Sequence, residues 1–163
     1  WHRVNLPHGD GSVRLNLLLG KTDNAAAADL EFSTRLLFPG DARRKYDRQV
    51  SIRVLGHGGM AFTEDVYPFR AATNGYAAGH EFLLLPSEGR RDWDWRRNVY
   101  LRLRGGAVHA GLSLVFTASR LEFELAGHAN PQGSILLEPD EAKLVTDPDE
   151  IVRLDAATRA RAR

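Results

Sequence analysis

There is no cysteine in the 163 residues, so a disulfide scaffold, a thiolate metal site and a cysteine nucleophile are all excluded. A cytosolic chain fits this composition, and a secreted one without disulfides fits it too. An excess of charge of one sign is equally lacking: 22 Lys and Arg stand against 21 Asp and Glu, a net of +1. Such a balance offers neither nucleic acid nor an acidic membrane an electrostatic hold, so neither is expected as a partner. No apolar run approaches the roughly 20 residues that cross a bilayer. The first residue is Trp1, with no methionine and no signal-like segment, as in a processed or excised piece.

What the chain has in quantity is strand signal. Hydrophobic residues at 43% and charged residues at 26% are ordinary for a globular domain. Val13, Leu15, Leu17 and Leu19 alternate with Arg14, Asn16 and Leu18 between Gly9-Asp10-Gly11 and Gly20. Leu30, Phe32, Leu36 and Phe38 form a second run, stopped by Pro39-Gly40. Val50 to Leu55 alternates until Gly56-His57-Gly58-Gly59, Phe82 to Leu85 stops at Pro86, and Val99 to Arg104 alternates into Gly105-Gly106. Further runs cover Leu112–Thr117, Leu121–Leu125 and Ser134–Leu137. Eight or nine short, turn-delimited strands predict an all-β antiparallel sandwich or barrel. That sandwich is expected over residues 1–140, with a helical tail over 141–163. In the tail Asp147 can cap a helix, Pro148 suits its first position and Glu150 sits where a capping box needs it. Ile151, Val152 and Leu154 offer a narrow docking stripe, and Arg159, Arg161 and Arg163 favour the helix end.

Local chemical motifs are few. Leu19-Gly20-Lys21-Thr22 resembles the end of a phosphate loop, but Leu15 occupies the place of its first glycine, so a strand-end turn is expected. The six histidines make no HxH or HExxH spacing and no serine sits in a GxSxG elbow, so neither a metal, another cofactor nor a catalytic centre is predicted. Leu101-Arg102-Leu103-Arg104-Gly105-Gly106 reads as a strand running into a turn. Asp92-Trp93-Asp94-Trp95, if extended, puts both carboxylates on one side and both indoles on the other. Trp93 and Trp95 then form either a sugar-stacking platform or a lead-in that covers the core edge, the commoner use of large aromatics.

Residues 1–104 resemble the TRAF-like, or meprin-and-TRAF-homology (MATH), family. The resemblance is carried by Trp1, Pro7 and Gly9, by Gly9-Asp10-Gly11, and by the runs Val13–Leu19 and Asp29-Leu30-Glu31-Phe32-Ser33. Asn74 to Phe82, with Gly79, and Arg97-Asn98-Val99-Tyr100-Leu101 extend it. It implies an eight-stranded antiparallel sandwich that binds peptide segments of other proteins at a sheet edge, as an adaptor in ubiquitin ligation or receptor signalling. The family's groove positions would fall on Asn16, Leu30, Ala78, Gly79 and His80, with Tyr76 as a displaced ring. None of those five is aromatic here, which departs from peptide-binding members. The family's first two strands would precede Trp1, and residues 107–140 add strands that it does not need. These later strands are expected to fill the vacant places beside residues 1–19 or to pair with another chain. The resulting expectation is a non-enzymatic protein-interaction module for a peptide segment or partner subunit, with self-association as a variant. A carbohydrate-binding module using Trp93 and Trp95, and a structural jelly-roll subunit, are the alternatives.

Overall fold

A computed structural model describes residues 2–22, 27–65, 70–89, 94–137 and 144–162. The alternation of apolar and polar side chains resolves into strands β1 (His2–Asn5), β2 (Gly11–Asn16), β3 (Lys21–Thr22), β4 (Leu30–Leu36) and β5 (Arg48–Val54). They are followed by β6 (Gly59–Thr63), β7 (Gly79–Leu84), β8 (Asp94–Leu103), β9 (Val108–Thr117) and β10 (Glu122–Asn130), and helix α1 covers Pro148–Arg161. One five-stranded sheet has the order β1-β10-β9-β8-β6 and the other β3-β2-β4-β5-β7. All pairings are antiparallel, so the fold is the expected all-β sandwich.

The layers meet because one parity of each strand is apolar. Phe32 of β4 reaches Phe123 of β10 with ring centres 4.9 Å apart. Phe123 lies 4.8 Å from Phe116 of β9, and Phe82 of β7 lies 5.3 Å from Phe116. Leu15, Leu30, Ile52, Leu101, Leu114 and Leu125 fill the space around these rings.

Several local expectations change: the run expected to reach Leu19 stops at Asn16, and residues 17–20 turn. Gly56–Gly59 is expected to close a strand into a loop; Gly59 instead opens β6, buried so closely that a Cβ there would meet the Tyr76 side chain and the Ala77 carbonyl. Ser134–Leu137 is not a strand; only Leu136 forms a bridge, with Arg70. Its neighbours lie on the outer face of the first sheet, where Leu137, Ile135, Tyr100 and Ala71 make a small second cluster. The last two β strands run longer than the apolar runs that announced them, since small and polar residues such as Ala110, Gly111 and Gly127 also pair. β9 and β10 lie between β8 and β1, so the later strands do sit beside the first residues of the chain.

Candidate functional site

On β6, Met60 and Phe62 pair with Leu101 and Val99 of β8, both core residues, so Phe62 points toward the space between the sheets. Yet Phe62 is 40% exposed. The cause is topological: among the described residues the second sheet ends at β7, and the His80 ring of that strand leaves part of Phe62 open. The rings beside it are packed in steps. His80 of β7 meets Phe62 edge-on at 4.8 Å and stacks on Trp95 of β8 at 5.6 Å. Trp95 in turn stacks on Phe82 at 5.3 Å. Arg97 shares the inward parity of Trp95 and Val99, remains exposed, and lies 5.9 Å from the Trp95 ring. Burial and the positive charge of Arg97 together outweigh the pull of Glu81 and hold the His80 pKa below its ordinary 6.5, so the imidazole is neutral near pH 7.

The edge itself is β7. β6 also meets the segment just ahead of β7, where Met60 and Ala77 exchange backbone hydrogen bonds of 2.8 and 2.9 Å. Val54 N–H donates to the Ala78 carbonyl. The alternation of an antiparallel ladder then turns His80, Phe82 and Leu84 toward β5 and leaves Gly79, Glu81 and Leu83 with backbone groups directed away from it. Gly79 has no room for a side chain, since a Cβ would run into the carbonyl oxygen of Ile52. Leu83, on the outer face, is 52% exposed.

A different device seats α1. Arg104, Gly105 and Gly106 follow β8 with φ of 54°, 66° and 97°. The two glycines take this left-handed backbone freely, while Arg104 carries a strain of roughly 1–2 kcal/mol. In return its guanidinium is turned into a buried polar cluster. It donates to both carboxylate oxygens of Asp29, at 2.8 and 2.9 Å, and to Asp155 at 2.6 Å, with Thr158 as a further close partner. Asp29 also accepts from Leu17 N–H; Asp155 accepts from Asn16 at 3.0 Å and from Arg159 at 3.1 Å. Burial alone would lower the Arg104 pKa, but the hydrogen bonds and charges of Asp29 and Asp155 reverse this and raise it.

The residues expected to form a groove separate into these two places. Gly79, His80 and Trp95 come together at the open flank. Trp95 is only 6% exposed, its face taken by His80 and Phe82, so its indole covers the core edge rather than offering a platform for a sugar. Trp93 and Asp92 lie outside the described residues. Tyr76, half-buried with Arg102 over its ring at 4.8 Å, packs behind Gly59. Ala78 leads into β7. Leu30 is core, buried too deeply to meet a ligand. Asn16 belongs to the helix seat, where it also accepts from Leu19 N–H.

Residues 17–20 are the strand-end turn, with Gly20 N–H donating to the Asn16 carbonyl, and Lys21–Thr22 continue as β3. On the outer face of the second sheet a shallow depression of about 320 Å³ is lined by Glu31, Ser33, Arg35, Gln49, Ser51, Arg53 and Glu81. These groups are engaged with cross-strand neighbours, as in Ser33–Ser51 and Gln49–Glu81. Among the described residues no three His, Asp or Glu side chains converge as a metal site, and no helix is long and apolar enough to cross a membrane. No protein-family model, curated protein or solved structure matches the chain.

Proposed function

We propose that this protein is an interaction module that accepts an extended segment of a partner protein along β7, with no catalytic step of its own. The single observation behind this reading is Phe62: an inward-facing ring left 40% exposed because the second sheet stops one strand short of covering it. A strand added beside β7 would bond to the outward backbone groups of Gly79, Glu81 and Leu83, and its inner side chains would cover Phe62 and the rim of His80. Backbone pairing supplies affinity in this mode, and the alternate side chains supply selectivity. A hydrophobic edge left open is otherwise a liability that proteins blunt.

The test is Leu83→Pro. Its N–H is directed away from β5, so proline removes an edge donor and leaves the internal ladder intact. A displayed library of ten-residue extended peptides should yield binders to the unaltered chain, and Leu83→Pro should weaken them at least tenfold with its thermal transition preserved. Peptides that bind the proline variant equally well would eliminate this edge as the acceptor.

A further inference from the structure

Helix α1 is fastened to the sandwich by polar groups to an unusual degree. Its two buried residues are Asp155 and Thr158, and both meet Arg104. Arg159 adds bonds to Asp155 and to the Ala27 carbonyl. The apolar residues of the helix do much less: Val152 is 52% exposed, while Ile151 and Leu154 are half-buried along a cleft of about 350 Å³. The floor of that cleft is core, formed by Leu17, Leu112 and Leu125.

This division matters physically. Apolar docking is spread over many small contacts and fails gradually, whereas a buried ion cluster concentrates attachment in a few bonds. A helix of 14 residues is marginal in water by itself, so once unfastened it also unwinds. The sandwich has no such dependence, because its rings and ladders lie elsewhere.

The geometry points to α1 being a latched lid: the Arg104–Asp29–Asp155 cluster holds it over the apolar cleft, and breaking the cluster frees the helix as a unit while the sandwich stays folded. Opening uncovers Leu17, Leu112 and Leu125. Asp29 and Arg104 remain bonded to each other in the open form, so the charge left behind on the sandwich is still neutralised. The left-handed backbone of Arg104 keeps its guanidinium aimed at the seat, ready for the helix to return.

Hydrogen exchange measured by mass spectrometry on the full chain tests this, comparing Asp155→Ala with the outer-face control Val152→Ala. In Asp155→Ala, amides of residues 148–161 should exchange at least tenfold faster and those of β8–β10 should be unchanged. The neutral fluorophore N-phenyl-1-naphthylamine should bind this variant more strongly than the control. Arg104→Lys, whose point charge cannot bridge two carboxylates in the same way, should repeat the pattern; if it fails to fold, Asp155→Ala still decides. Unchanged exchange of α1 would show that other contacts hold it. Strands that lose protection in step with α1 would make the helix part of one cooperative unit. Faster helix exchange without added dye binding would mean that the helix does not cover the cleft. Each of these overturns the lid.

Discussion

The two attachments in this molecule, sheet to sheet and helix to sheet, are built from opposite chemistry. Between the sheets, Phe32, Phe82, Phe116 and Phe123 meet ring against ring, and removing any one leaves the others in place. Under α1, one guanidinium joins two carboxylates and a hydroxyl. The first arrangement tolerates local change but unfolds only as a whole. The second is all-or-none at one point and lets one element leave alone. The difference shows why helix propensity and amphipathic pattern say little about how α1 is held.

The strongest way to break the comparison is through the core. Phe116→Ala should cost about 3–5 kcal/mol, and the strands of both sheets should still be lost in a single urea transition. If α1 alone responded, the ring cluster would not be the common support assumed for it.

Acid sharpens the other side. Burial acts to raise the Asp155 pKa, but hydrogen bonds from Arg159, Asn16 and Arg104 and the charge of Arg104 win and hold it below its ordinary 3.8. Asp29, Asn16, Arg104 and Arg159 are the groups that face it. A depressed carboxylate stabilises the fold above its unfolded-state pKa and loses that contribution as pH falls through the folded value. Protection of α1 should therefore be constant near neutrality and fall below about pH 4. Asp47 is depressed as well, through Ser87 and Arg44 against burial, and Asp155→Ala separates the two by abolishing only the α1 component. An α1 signal flat through the acid range would contradict the latch.

The smallest effect belongs to the solvated face. Arg14→Ala removes a 2.7 Å pair with Glu31 on the outer side of the second sheet, and such a half-exposed pair is worth about 0.2–1 kcal/mol. A denaturation midpoint shifted as far as in Phe116→Ala would show that this surface carries structural load after all.

Much of the sandwich was legible because alternation is a local property. Val13 and Leu15, Val50 and Ile52, and Val99 and Leu101 announce their strands without help from any other part of the chain. β6 escaped because Gly59-Met60-Ala61-Phe62-Thr63 is short, follows a glycine-rich turn and lacks clear alternation. The start of α1 was equally readable, since Asp147 caps it by accepting from Asp149 N–H. Its docking face was not. The apolar stripe expected at Ile151, Val152 and Leu154 leaves Val152 in solvent, and the buried side is Asp155 and Thr158. Arg104 was hidden for the same reason: within Leu101–Gly106 it looks like the polar phase of an alternating strand, and its partners lie 75 and 51 residues away. Of the expected site residues, Gly79, His80 and Trp95 do share one flank, while Asn16 and Leu30 point to other tasks.

Side-chain periodicity, turn residues and a helix cap act over a few residues, so the chain by itself determined most of its strands, its class and where its helix begins. Which strand ends a sheet, which ring is left uncovered and which arginine meets which carboxylate are decided only when distant segments pack. Only that packing sets burial, and burial determines whether a given Phe is core or surface and whether a given charge is solvated or forms a latch.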